Sequence, residues 1–278
     1  MNSFFEALVV SPLLLSSVLA GLAASIVSGI IGSYVVVKRI AFISGSISHS
    51  VLAGIGFFLW LERAHHIQWL SPLQGALIAG ILSALTIGWI HMSYKQREDS
   101  VIAAVWSVGM SIGILFISLT PGFNVDLTNL IVGNLLWVTP SDLALLSALD
   151  LLVIATLVFL HERLLAICFD EDQACLQGLS VHKLYLLLLT LVSITVVLLM
   201  QVVGVILVMT LLTLPPTIAN LFTKRLSHMI GLSIALSATF TFVGSFLAFH
   251  LDWPTGATIA LVSGTSYAVS LYAAPLET

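Results

Sequence analysis

A chain of 278 residues, 59% of them hydrophobic and only 8% charged, has more apolar surface than a water-soluble fold can bury, since soluble domains carry roughly a quarter charged residues. Its nine Lys and Arg and thirteen Asp and Glu leave a net charge of −4. They are scattered rather than clustered, which excludes a nucleic-acid partner, and the solvent for most of the surface is membrane lipid.

The first ten residues lack the basic n-region of a signal peptide, so the first apolar run reads as a retained span. Runs near the ~20 residues that a bilayer helix needs lie at 12–37, 45–62, 73–93, 101–120, 142–162, 184–203, 205–223, 229–250 and 255–274. The fold class is therefore an all-α polytopic membrane protein. It has eight or nine transmembrane helices in a single domain over residues 1–278.

Basic residues orient the spans, because cytoplasmic loops are enriched in Lys and Arg. Lys38, Arg39, Lys95, Arg97, Arg163, Lys183, Lys224 and Arg225 fall in alternate loops, and Arg63 alone falls on the other side. This predicts the N-terminus outside and the C-terminus in the cytoplasm. Residues 130–138, LIVGNLLWV, are too short to cross and are expected to form a re-entrant helix. Gly204 is the expected corner between two closely spaced crossings. If that hairpin is shallow, eight spans remain. Cys168 and Cys175 lack the spacing of a thiolate metal site and read as free thiols.

Four polar features interrupt the apolar pattern. In FISGSISHSVLAG, at 100° per residue, Gly45, Ser46, Ala53 and Gly56 share the helix face of His49. Ser46, Ser50 and Gly54 form a small-residue ridge for a neighbouring helix. His49 therefore points into protein or water. Either it acts as an intramembrane functional group, or it is a neutral imidazole bonded across a helix contact.

Outside the second span, His65 and His66 read as a wet pair, and Asp126 and Asp252 as outer-mouth residues. Asp170 and Gln173 have capping-box spacing, and Gly178 fits a C′ position, so residues 170–178 read as a short capped helix in the cytoplasm. In VVGVILVMTLLTLPPTIAN, Pro215 and Pro216 cannot donate to the carbonyls of Leu211 and Leu212. A broken helix is expected there, with Thr210, Thr213 and Thr217 on one face either satisfying those carbonyls or lining a path. No G-x-x-x-x-G-K-[ST] occurs, so any ATP is bound by another subunit.

The stretches VVVKRIAFISGSISHSVLAG, VDLTNLIVGNLLWVTPSDL, VVGVILVMTLLTLPPTIANL and LDWPTGATIALVSG occur in this order. Through them the chain, from about residue 21 to 270, resembles the permease subunits of bacterial ABC importers for zinc and manganese, the ABC-3 family, and most resembles the zinc-uptake members.

The resemblance implies a homodimeric inner-membrane permease with no permanently bound cofactor and no enzymatic activity of its own. It implies a transported divalent metal, ATP hydrolysis by a cytoplasmic ATP-binding subunit, and delivery by an extracytoplasmic metal-binding protein. In that family an acid and a histidine four positions later handle the metal. The histidine aligns with His49, but the acid falls on Gly45, so the pair is incomplete. Losing the carboxylate leans the site towards zinc rather than manganese or iron. Ser46 joins the threonines and prolines as a pathway residue. Asp170, Gln173, Leu176 and Gly178 fall where the family's coupling helix seats on its ATPase.

Two other classes remain open. A siderophore or cobalamin permease needs a cavity too wide for an ion site. An ion-coupled secondary transporter calls for an inverted repeat and an intramembrane acid, and the spans are read as carrying neither. An intramembrane metalloprotease fails for want of H-E-x-x-H.

Overall fold

The computed structural model describes residues 4–67, 69–94, 98–121 and 138–273. Eleven helices occupy these residues, with no strand among them: α1 (Phe4–Val10), α2 (Pro12–Val37), α3 (Ala41–Ala64), α4 (Pro72–Tyr94), α5 (Glu98–Leu119), α6 (Pro140–Phe169), α7 (Glu171–Leu176), α8 (Val181–Val203), α9 (Val205–Phe222), α10 (Leu226–Leu251) and α11 (Thr255–Ala273). Eight of them, α2 to α6 and α8 to α10, are long and apolar enough to cross a membrane. The ninth expected span is α11, whose serines, threonines and glycines keep it out of that set. The Gly204 hairpin is not the place where the count drops, because α8 and α9 both qualify. The expected re-entrant helix at 130–138 lies outside the described residues, apart from Val138.

Helix starts follow local chemistry that the apolar pattern alone does not show. α2, α4 and α6 each begin on a proline, a residue whose fixed φ and missing N–H suit the first helical position. Before α4, the Gln74 N–H donates to Ser71 Oγ at 3.3 Å and the Ser71 N–H donates to Gln74 Oε1 at 3.1 Å. Before α6, the Thr139 N–H donates to Asp142 Oδ2 at 2.9 Å and the Asp142 N–H to Thr139 Oγ1 at 3.3 Å. Both are reciprocal capping boxes, each satisfying two backbone donors that a helix N-terminus leaves orphaned. Gly204, at φ +84 and ψ 162, separates α8 from α9. A side chain there would be strained, so the corner falls where the sequence places it.

The chain forms two compact units. The first comprises Met1–Arg39, Thr128–Phe159 and Leu198–Thr278. In it α2 packs on α9 and α10, and α11 packs on the same two helices. α2 and α10 run antiparallel through small residues: Ser25 Oγ lies 3.2 Å from Thr241 Oγ1, and a Cβ on Gly29 would come within 2.6 Å of the Ile234 side chain. Lipid offers no hydrophobic drive for helix association, so this close backbone approach and the hydroxyl pair supply it. α1 is held by Phe4, 1% exposed, whose ring meets Phe242, Phe246 and Phe249 of α10 edge-on at 6.0, 5.3 and 5.5 Å.

The second unit comprises Ile40–Leu127 and Leu160–Val197. α3 packs on both α4 and α5. A Cβ on Gly54 of α3 would strike the backbone of Gly75 in α4, and one on Gly75 would strike that of Gly54. Val51 approaches Gly80 further along, so α3 and α4 are antiparallel. Ser46 meets Ile102, Ser50 meets Gly109, and Gly56 meets Gly113. α3 and α5 are therefore parallel and in near register.

Candidate functional site

The α3–α5 register places the site's central pair. Ser46 Oγ, on a residue with no exposed surface, donates to the Ile102 carbonyl of α5 at 2.9 Å. One turn on, Gly109 has no side chain, and a Cβ there would sit 2.6 Å from Ser50. Between these two fixed points the imidazole of His49 and the indole of Trp106 stack face to face, with centroids 4.6 Å apart and planes 5° from parallel. Both side chains are half-buried. No hydrogen bond to the His49 ring nitrogens is formed among the described residues.

The serines around His49 are committed to packing. Ser44 donates to the Ala41 carbonyl, Ser48 to Ser44 and Ser50 to Ile47, at 2.8, 2.8 and 3.1 Å. Ser46 was expected to line the pathway; in the structure it pins α3 to α5 and is closed to solvent. Gly45 is buried in α3 and brings no donor atom. Among the described residues no three His, Cys, Asp or Glu side chains converge on a point where a metal ion could sit. His49 is thus an imidazole whose ring edge makes no hydrogen bond among the described residues.

The expected break at Pro215 and Pro216 is not found: α9 runs unbroken from Val205 to Phe222 through both prolines. The reason lies in what packs against the prolines, not in the neighbouring threonines. Thr210, Thr213 and Thr217 do share one half-exposed face, but they do not serve Leu211 and Leu212. Their hydroxyls donate to the carbonyls of Ile206, Met209 and Thr213 at 2.8, 2.6 and 2.6 Å. The prolines are buried, and a Cβ on Gly32 of α2 would lie 2.5 Å from the Leu212 oxygen and 2.7 Å from Pro216 Cγ. A glycine opposite the proline pair gives the bulky turn room to stay helical. These residues belong to the first unit and His49 to the second.

α7 is six residues long and capped at both ends. Asp170 accepts from the Gln173 N–H at 2.9 Å. The reciprocal half of the box is absent, because the Asp170 N–H donates instead to the Ala166 carbonyl at 3.1 Å. Gly178, at φ +81, ends the helix: its N–H donates to Cys175 and that of Leu179 to Ala174, at 2.9 and 3.1 Å. This is the Schellman arrangement. Ala174 is buried while Leu176 is 89% exposed, so the helix offers a leucine outward. Neither Cys168 nor Cys175 forms a disulfide among the described residues. His65 rests edge-on against Trp60 at 4.7 Å, and Asp252 ends α10 in a left-handed conformation at φ 55. Asp126 lies outside the described residues.

Two functional candidates escaped the sequence reading. Trp106 had no visible link to His49, because only the parallel register of α3 and α5 joins them. Asp150 is an acid within the fifth span, contrary to the expectation that the spans carry none. It lies on the buried face of α6 with Leu146, Leu149 and Val153, is 9% exposed, and its Oδ1 has no hydrogen-bond partner among the described residues. An ionisable residue at such a depth is costly and is rarely incidental.

A model of the ABC 3 transport family matches residues 11–274. A probable metal transport system membrane protein of Chlamydia trachomatis is 49% identical over 260 residues, covering 94% of this chain and 88% of that protein. A manganese transport system membrane protein, MntC, of Halalkalibacterium halodurans is 29% identical over 274 residues, covering 99% and 91%. Among solved structures, PsaBC from Streptococcus pneumoniae in complex with Fab matches at a TM-score of 0.84 and 27% identity, covering 98% of this chain and 95% of that one.

Proposed function

The chain belongs to the ABC 3 transport family, and from that premise we propose that it is the permease of an ATP-driven importer of a divalent transition-metal ion, zinc favoured over manganese. The observation that carries the cargo reading is His49: an imidazole at an intramembrane position, its nitrogens free, with Gly45 where the resemblance calls for a carboxylate. Imidazole suits zinc, whereas manganese prefers carboxylate and water oxygen. Manganese is the second reading, favoured by the name of the Halalkalibacterium relative.

The permease works as a homodimer in the bacterial cytoplasmic membrane, receives its ion from an extracytoplasmic binding protein, and leaves ATP hydrolysis to a cytoplasmic subunit. The distribution of Lys and Arg supports an N-terminus outside and a C-terminus inside, a topology in which α11 is the ninth crossing.

Competition uptake in cells expressing the complete transporter tests the cargo. Labelled zinc should be taken up in preference to manganese. Gly45→Asp, which sets an acid one turn before His49, should raise manganese uptake relative to zinc at equal protein level. Wild-type preference for manganese would overturn the zinc reading.

α7 supports the partner. An isolated helix shorter than about 12 residues is marginal in water, and this one has six, held by its caps and available to seat in a groove. Replacing Gln173, Ala174, Cys175 and Leu176 with Gly-Ser repeats is expected to leave membrane insertion unchanged while the ATPase subunit no longer copurifies. Full ATPase association of that variant would remove the coupling role.

A further inference from the structure

The geometry points to Trp106 as a positioning residue that fixes the His49 imidazole for the incoming cation and sets how tightly this transporter takes up its metal. The inference rests on the reading of His49 as the transit ligand.

A histidine that binds a metal through one nitrogen ordinarily donates its other ring N–H to a carboxylate or carbonyl, which fixes the ring's orientation. His49 has no such partner among the described residues. What it has is an indole lying flat on one face, 4.6 Å centroid to centroid and 5° from parallel. Offset stacking of this kind favours one ring plane. It resists tilting of the imidazole but leaves both nitrogens, which lie at the ring's edge, open to a ligand.

The indole's own position is determined on both sides by backbone-level contacts. Ser46 Oγ holds the Ile102 carbonyl four residues before it, and Gly109 three residues after it lies against Ser50. Trp106 is thereby set on the site by the helix pair rather than by its own side-chain packing alone.

The consequence is a division of labour suited to this chain. With Gly45 there is no carboxylate to share the charge or to aim the ring, so orientation must come from elsewhere. Stacking supplies orientation without adding a second ligand. It strengthens capture by sparing the imidazole the cost of being ordered on binding, and adds nothing that must be broken before release.

Zinc uptake kinetics in cells expressing the complete transporter test this, using Trp106→Leu, which keeps apolar bulk without a ring, and Trp106→Phe, which keeps a stacking face. Removing a group that orients a metal-binding histidine commonly costs 10–100-fold in affinity, so Trp106→Leu is expected to raise KM for zinc roughly tenfold with Vmax per transporter near wild type. Trp106→Phe is expected to recover most of that loss. In a His49→Ala background, Trp106→Leu is expected to change nothing further.

An unchanged KM in Trp106→Leu, or a Phe variant as impaired as the Leu variant, would overturn the positioning role while leaving His49 in place. Undiminished uptake by His49→Ala alone would instead remove the transit-site reading, and this inference with it.

Discussion

His49→Ala is expected to lower metal uptake per inserted transporter by roughly a hundredfold, since deleting the ligand must cost at least as much as the 10–100-fold typical of losing its supporting groups. The size of the effect follows from how little else is there. Gly45 contributes no side-chain donor, the hydroxyls of Ser46 and Ser48 are already donated to Ile102 and Ser44, and no group of three His, Cys, Asp or Glu side chains that could hold a metal is formed among the described residues. The fold should survive, because His49 is only half-buried and makes no hydrogen bond that its neighbours need. Uptake normalised to folded protein in the membrane is the measurement, and undiminished transport would reduce His49 to a packing residue of α3.

Gly54→Val is expected to be the most damaging small substitution for stability. Gly54 and Gly75 face each other across the α3–α4 crossing so closely that a Cβ on either would collide with the backbone of the other. Backbone cannot rotate out of the way as a side chain can, so the helices must separate. Overpacking ordinarily costs about 1–3 kcal/mol, and this case lies at or beyond the upper end. Gly231→Ala and Gly264→Ala are the controls. Neither glycine has an atom within 4 Å of the added carbon, and replacing a mid-helix glycine with alanine gains about 0.5–1 kcal/mol. Thermal melting in detergent should show a large drop for the first variant and none for the other two.

The spans were legible because they rest on one dominant rule, the length of apolar chain that a bilayer requires, and only α11 falls short of it. The capped helix at 171–176 was legible for a similar reason: Asp170 and Gly178 act on their own local backbone. The unbroken course of α9 was not, because a proline pair is read locally as a break. Whether it is one depends on a glycine, Gly32, far away in sequence. Trp106 belongs with that second kind, since its role exists only once two helices are laid parallel. Asp150 belongs to neither. The rule that singles out His49 applies to it equally, but no motif surrounds it to mark it.

The glycine contacts that join α3 to α4 and α5 also bear on timing. Helices meeting backbone to backbone have few side-chain rotamers between them to rearrange, so this trio has little internal give. Stacking ties the half-exposed rings of His49 and Trp106 to that frame, whereas collective helix and domain motions take microseconds to milliseconds. On the reading of His49 as the transit ligand, an incoming ion would therefore meet an aligned ring on a stiff frame. On that reading turnover follows the slower collective motions, and loosening the ring should change occupancy at the site without changing the maximal rate.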